Sequence, residues 1–460
     1  MKHYDAIVIG SGQAGSPLCK QLAAAGKKTA LIEKRFVGGT CVNDGCTPTK
    51  AMIASAKAAY QVAHSDHLGI HIDDYHVNMK QIKQRKDELV RSWRDGSRKG
   101  MEQTENLDLL FGEASFTGAK TIKVKLNDGT TLDLSADLIF IDTGTTPVIP
   151  DIKGLNDVGY FTSTTLLDIA EVPDHLLVIG GNYVALEFAQ MFQRFGSKIT
   201  VLERGPKIMA HEDDDITEEL TKILLEEGLN LLTNAQAVQF EPEQGRIKAI
   251  IQENDSFKEI SCSHILVATG RKPSTDSLAP ETSGIQLDEK GFIVVNEKLE
   301  TNVKGVYALG EVNGGPAFTH IAYNDYTIVY RNLFEGADLS TKGRPLPYCM
   351  FTDPQLGRIG LSEQQAIEQG YNIKIAKLPM KQVARAQETG DTRGLMKAVV
   401  DADTRQILGA AILGEEGGEI MAVLQMAMMG GITYDVLEYC VFAHPTYAES
   451  INNLFMTLDK

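Results

Sequence analysis

Two stretches of this chain repeat one pattern of apolar and polar positions. The first opens with the apolar run Ala6-Ile7-Val8-Ile9 and passes through Gly10-Ser11-Gly12-Gln13-Ala14-Gly15. An Ala- and Leu-rich segment then runs to Gly26, and a second apolar run from Thr29 to Ile32 stops on Glu33. The second stretch reads Leu176-Leu177-Val178-Ile179, then Gly180-Gly181-Asn182-Tyr183-Val184-Ala185, continues to Gly196, and closes with Ile199 to Leu202 and Glu203. Short unbroken apolar runs predict buried parallel strands, and the longer segments ended by glycine predict helices between them. Gly10 stands as far from Glu33 as Gly180 does from Glu203.

Both units close on a strand ending Thr-Gly-x-x-Pro. One is Ile139-Phe140-Ile141-Asp142-Thr143-Gly144-Thr145-Thr146-Pro147, and the other is Ile265-Leu266-Val267-Ala268-Thr269-Gly270-Arg271-Lys272-Pro273. A β-rich stretch precedes each, the first with an Asn127-Asp128-Gly129 hairpin turn. The run Gly305 to Gly310, ending at Glu311, predicts a strand that returns to the first unit. Beyond Gly343 the pattern becomes mixed, beginning Tyr348-Cys349-Met350-Phe351-Thr352-Asp353-Pro354, and predicts a separate domain. The expected fold class is α/β: two Rossmann-like dinucleotide-binding domains and a C-terminal α+β domain. Expected boundaries are 1–150, 151–272, 273–342 and 343–460.

A glycine turn between a strand and a helix brings backbone close to a pyrophosphate and aims helix N–H groups at it. An acid closing the next strand suits a ribose 2'-hydroxyl. Gly10, Gly12, Gly15 and Glu33 meet that pattern in full, and Gly180 and Glu203 meet it in the second unit. Asn182 stands where the second glycine belongs; the turn is expected to survive because Asn tolerates left-handed backbone, although its side chain would crowd the pyrophosphate. Two dinucleotides on one chain imply electron transfer between them.

Composition narrows the class of partner. A formal charge of −16 over 460 residues disfavours nucleic acid and anionic membrane. No apolar run approaches the roughly 18–20 residues of a membrane span. The opening Met1-Lys2-His3-Tyr4-Asp5 leads directly into a strand, so cytoplasm is the expected compartment.

The six cysteines are scattered except for Cys41 and Cys46, within Gly38-Gly39-Thr40-Cys41-Val42-Asn43-Asp44-Gly45-Cys46-Thr47-Pro48-Thr49-Lys50. Thr47-Pro48 predicts a helix start, so Cys46 sits where the helix dipole favours thiolate, with Lys50 one turn along on the same face. A zinc site needs about four ligands, and no second pair stands at ligand spacing. Inert core thiols are the other alternative. A redox pair is the favoured reading, and no metal site is expected.

With these motifs in view, the whole chain resembles the class I flavoprotein disulfide reductases, a family that includes dihydrolipoamide dehydrogenase, glutathione reductase and mercuric reductase. The resemblance implies an FAD domain, an NAD(P) domain, a central domain and a C-terminal dimerisation domain, working as a homodimer. It makes Cys46 the flavin-proximal thiol and Cys41 the thiol that exchanges with substrate. Lys50 would lie near the flavin and pair with Glu187, and Tyr183 would be the lid over it. Thr40, Thr143, Gly144 and Gly270 fall in cofactor-binding segments, and Glu311 stands where the family has an Asp on the FAD ribityl chain. His444 and Glu449, in Ala443-His444-Pro445-Thr446-Tyr447-Ala448-Glu449, resemble the motif whose His reaches across the dimer to the exchange thiol.

The wording of Gly180-Gly181-Asn182-Tyr183, of Phe188-Ala189-Gln190-Met191-Phe192 and of Val383-Ala384-Arg385-Ala386 is similar to the mercuric-reductase-like branch. An N-terminal metal-binding module and an adjacent cysteine pair at the tail are expected to be missing, and His444 stands where those enzymes tend to carry Tyr. Mercury is therefore not the expected substrate. Glu203 favours NADH over NADPH, with Arg204 beside it as a counterweight. The expected enzyme passes electrons from NAD(P)H through FAD to Cys41 and Cys46, and on to a small-molecule or protein disulfide or a metal ion. The alternatives are an NADH oxidase or quinone reductase (diaphorase) and, outside enzymes, a docking subunit.

Overall fold

The computed structural model describes residues 1–459. It divides into two compact units. The first comprises Met1–Ala51, Lys83–Val148 and Gly270–Arg344. Its sheet runs in the order Lys2–Ile9, Thr29–Glu33, Leu107–Gly118, Thr121–Leu126, Thr131–Ile141, Val306–Ala308, and Lys2–Ile9 also pairs with Thr131–Ile141. Ala6 to Ile9 are buried on both faces, which is why the run does not alternate. The expected hairpin turns at Gly129, with φ +89°. The expected late strand docks parallel, Val306 beside Ile139.

The helix Gly15–Ala24 buries Leu18, Cys19, Leu22 and Ala23 along one stripe. It ends because Gly26 adopts φ +76°, so that Gly26 N donates to Ala23 O and Lys27 N to Leu22 O. The helix Tyr183–Arg194 ends identically, with Gly196 N on Gln193 O and Ser197 N on Phe192 O.

The second unit comprises Met52–Ile82, Ile149–Thr269 and the chain from Pro345. One sheet is parallel, ordered Asn230–Leu232, Lys198–Leu202, His175–Ile179, His264–Val267, Phe161–Thr162. A three-stranded antiparallel sheet, Ala235–Glu243 to Ser256–Cys262, is inserted in sequence between Asn230–Leu232 and His264–Val267. The C-terminal segment forms a five-stranded antiparallel sheet against which Ile420 and Leu424 of the helix Gly417–Met429 are buried. Burying each such leucine or isoleucine contributes about 1.5–3 kcal/mol.

Charge is buried in this unit as well. Arg194 is fully enclosed, forked on Glu227 at 2.8 and 3.0 Å and bonded to the Asp353 carboxylate at 2.7 Å. Its guanidinium lies 3.9 Å from the Tyr60 ring centroid. No helix among the described residues is long and apolar enough to cross a membrane.

Candidate functional site

The cysteine loop is fastened to the first glycine turn. Gly38 N donates to Ser11 O and Oγ, Gln13 Nε2 donates to Gly38 O, and a Cβ on Gly39 would stand 2.7 Å from Gly12 Cα. Only glycine permits that approach at Gly39, whose φ is +63°. A nucleotide on the turn and the thiols beyond the loop are thereby held in one neighbourhood of the first unit.

Cys46 is the first residue of the helix Cys46–Ala63, with Pro48 in its first turn, as expected. The two sulfurs meet: Cys41 is hydrogen-bonded to Cys46, and that bond, then burial and the Cys46 charge, push the Cys41 thiol strongly upward. Thr319 and the positive charge of Lys50 oppose the rise. The helix start beside Cys46 is a setting that favours a thiolate there. Thr319 Oγ1 lies 3.4 Å from Cys46 Sγ. It was not among the expected residues, because nothing local in Phe318-Thr319-His320 marks it.

Around the first turn, Glu33 accepts from Ser11 N at 3.1 Å, Ser11 Oγ at 2.7 Å and Arg35 N at 2.8 Å. Asp142, fully buried, accepts from Gly15 N at 2.6 Å and from Ala14 N. Burial drives its carboxyl well above the usual carboxylate range against the pull of those N–H groups. Beside it Thr143 N would lie 3.2 Å from a Cβ on Gly10, and Thr143 Oγ1 is buried with no hydrogen-bond partner among the described residues. Gly144 has φ +64°. Glu311 accepts a short bond from Thr145 Oγ1, and Arg271 reaches both, at 2.6 Å to Thr145 Oγ1 and 3.5 Å to Glu311. The Glu311 carboxylate is thus engaged by both Thr145 and Arg271. Thr40 lies exposed in the short helix Gly39–Asn43.

The second turn keeps the backbone and changes the support. Glu203 accepts from Gly181 N at 2.8 Å and Gly205 N at 2.7 Å, as Glu33 does from its own loop. Asn182 corrects the sequence expectation. Its φ is −85°, extended rather than left-handed, because its carboxamide caps the helix by accepting from Val184 N and Ala185 N. Tyr183 is half-buried at the first position of that helix, and Glu187, one turn on, accepts from Phe351 N at 2.8 Å. Gly270, with φ +129°, ends the closing strand's turn.

In the C-terminal segment His444 Nδ1 faces both Glu449 carboxylate oxygens at 3.0 Å, and the imidazole is exposed. Tyr447, between them in sequence, donates to Glu415 at 2.6 Å and meets Thr389 Oγ1 at 2.7 Å. Burial and the Glu415 carboxylate raise its phenol above its ordinary range.

Residues 4–325 match the family described as pyridine nucleotide-disulphide oxidoreductase, and residues 346–455 match its dimerisation domain. The chain belongs to the pyridine nucleotide-disulphide oxidoreductases. It is 36% identical to the probable pyridine nucleotide-disulfide oxidoreductase RclA of Escherichia coli, over 99% of both chains. It is 34% identical to a Staphylococcus aureus mercuric reductase over 99% of this chain and 83% of that one. It is also 34% identical to the dihydrolipoyl dehydrogenase of Thermus scotoductus, over 100% and 98%. The structure of the Cu(II) complex of RclA, an HOCl-induced flavoprotein disulfide reductase, superposes with a TM-score of 0.91 at 35% identity, covering 99% of each chain.

Membership of this oxidoreductase family makes the chain a flavoprotein enzyme that uses FAD and NAD(P)H. The first turn fits a bound dinucleotide: the orphaned Thr143 hydroxyl stands beside Gly10, where added side-chain volume would strike the backbone of Asp142 at 2.2 Å. Asp142, Arg271 and Tyr447 stand in the sequence inside recognisable motifs with nothing to mark a role, and Thr319 and Glu415 carry no local signal at all.

Proposed function

We propose that the first turn holds FAD and the second holds NADH, with Cys41 and Cys46 as the pair that passes electrons to a disulfide substrate. Bound FAD supplies the two-electron link between the pyridine nucleotide and the cysteines. Gly10, Gly12 and Gly15 would admit its pyrophosphate, Glu33 its ribose, and Thr143, Gly144 and Glu311 its middle, with Thr40 beside the ring. The reading rests most on one observation, the Cys41–Cys46 hydrogen bond at a helix start with Lys50 one turn away. On this reading Cys46 carries the thiolate at the helix start, and Cys41, half-exposed, attacks substrate once its proton is removed.

His444 is the group that takes and returns that proton, oriented by Glu449, as thiol–disulfide exchange requires. Lys50 and Glu187 serve the reducing half, Tyr183 the nicotinamide lid. Gly180, Gly270 and Glu203 serve the nucleotide, and Glu203 selects NADH. We assign the boundaries 150, 272 and 342 to the functional divisions. The active form is a homodimer: Tyr439 and Val441, near His444, are 75% and 95% exposed and need cover. A metal ion such as Cu(II) is a second acceptor, supported by the RclA complex and the mercuric reductases. The expected compartment is the cytoplasm, in keeping with scattered cysteines.

Cys41→Ser tests the assignment. NADH-dependent reduction of an aromatic disulfide should fall by at least about a thousandfold, while NADH-dependent quinone reduction stays within twofold. Disulfide turnover surviving the substitution would remove Cys41 from the mechanism.

A further inference from the structure

The two turns superimpose bond for bond along the backbone. Gly10 N donates to Ile32 O and Gly180 N to Leu202 O, both at 2.8 Å. Asp142 N donates to Ile9 O at 2.8 Å and Ala268 N to Ile179 O at 2.9 Å. A Cβ on Gly10 would strike Asp142 O, and one on Gly180 would strike Ala268 O. Asp142 and Ala268 are therefore counterparts, and so are Gly12 and Asn182.

At those two positions the side chains are exchanged. In the first unit the strand supplies a carboxyl, Asp142, which accepts from Ala14 N and Gly15 N. It fills the space above Gly12, where a Cβ would lie 2.6 Å from Asp142 Oδ2. In the second unit the strand supplies only Ala268, and the turn supplies the carboxamide of Asn182. That carboxamide accepts from Val184 N at 3.0 Å and Ala185 N at 3.2 Å, the counterparts of Ala14 and Gly15. Its amide nitrogen donates to Ala268 O at 2.5 Å, tying the turn to the strand that in the first unit bears the carboxyl.

We infer that Asn182 is a positioning residue for the nicotinamide nucleotide, doing from the turn what Asp142 does from the strand. This rests on assigning the second turn to NAD(P)H. The side chain then points at the strand and leaves the pyrophosphate side clear. On this view Asn182→Gly, which would perfect the glycine fingerprint, is a lesion, because two helix N–H groups lose their acceptor and the turn loses its tie to Ala268.

The test is a mutant cycle on the FAD-loaded enzyme: N182G, A268D and N182G/A268D. ADP affinity is measured by calorimetry, NADH KM and kcat by steady-state kinetics, and FAD content and thermal midpoint by absorbance. N182G should raise the ADP Kd and the NADH KM by about 5–10-fold, with kcat within twofold. A268D should weaken both as well, since a carboxyl at 268 and a side chain at 182 compete for the space that Gly12 leaves open. The double variant should return to within about threefold of the parent. General destabilisation would add the two losses rather than cancel them. ADP that binds the parent without competing with NADH would overturn the assignment of the second turn. ADP that competes, together with an N182G variant that binds it as tightly as the parent or a double variant no better than its singles, would overturn the role of Asn182.

Discussion

Asp142 offers a sharp test of how the first turn is held. Its carboxyl is fully buried and accepts from two backbone N–H groups at the start of the Gly15–Ala24 helix. Asp142→Ala leaves both donors without an acceptor in a site that water cannot reach. An unsatisfied buried donor costs about 1–3 kcal/mol, so the pair should cost about 3 kcal/mol. If that order is what FAD binding draws on, retention falls by roughly two decades, at about 1.4 kcal/mol for each. Asp142→Asn keeps an oxygen toward the turn, as Asn182 shows a carboxamide can in the second unit. It should stay within about 1 kcal/mol of the parent.

The pH dependence separates the two further. Burial, the largest cause, raises the Asp142 carboxyl well above its usual range. A raised carboxyl binds its proton more tightly in the folded state than in the unfolded one. Its contribution is therefore full below the unfolded value, about 3.9, and is lost as pH climbs through the folded value. Asp142→Asn cannot ionise and removes that loss, so its stability should vary less with pH between the unfolded value and the raised folded value. Urea unfolding at several pH values and FAD in the filtrate after dialysis measure both effects. An Asn variant that sheds FAD as readily as the Ala variant, or that keeps the parent's pH slope, refutes the reasoning.

Arg194→Met should cost about 3–5 kcal/mol in denaturant unfolding, because it strands Glu227 and Asp353 as buried carboxylates with less cationic compensation; a loss under about 1 kcal/mol would show the network to be dispensable. His444→Gln should lower disulfide turnover by about 10²–10⁴-fold while leaving the rate of flavin bleaching by NADH unchanged in stopped flow, and a bleaching rate that falls in step would move His444 out of the exchange half.

The parts of this molecule that announce themselves in the sequence are those governed by local rules. The apolar runs mark strands because they are buried without alternation, and Gly26 and Gly196 mark helix ends because their hydrogen bonds close within a few residues. The Cys46 helix start is visible for the same reason, through Pro48. What stays hidden depends on which side chains meet after the chain has returned on itself. Thr319 reaches Cys46, Arg271 reaches Thr145 and Glu311, and Glu415 reaches Tyr447 across separations that carry no periodic signal. Asn182 was visible but misjudged, because a fingerprint reads one position at a time and its partner Ala268 lies in another motif.

That misjudgement shows what a nucleotide turn requires. Gly10 and Gly180 have no substitute, since each faces the carbonyl of the closing strand at a distance no Cβ tolerates. The second glycine is different in kind. Gly12 is glycine because Asp142 occupies the space a side chain would need, and where the strand bears Ala268 that space opens and Asn182 fills it. The requirement at this level is an acceptor for two N–H groups and a tie between turn and strand, and either partner can supply them. A second-glycine replacement is then compatible with binding when the strand residue shrinks in compensation, and incompatible when it stays large. Gly12→Asn, made without touching Asp142, should accordingly be among the most damaging single changes to FAD retention, whereas the same residue serves in the second unit.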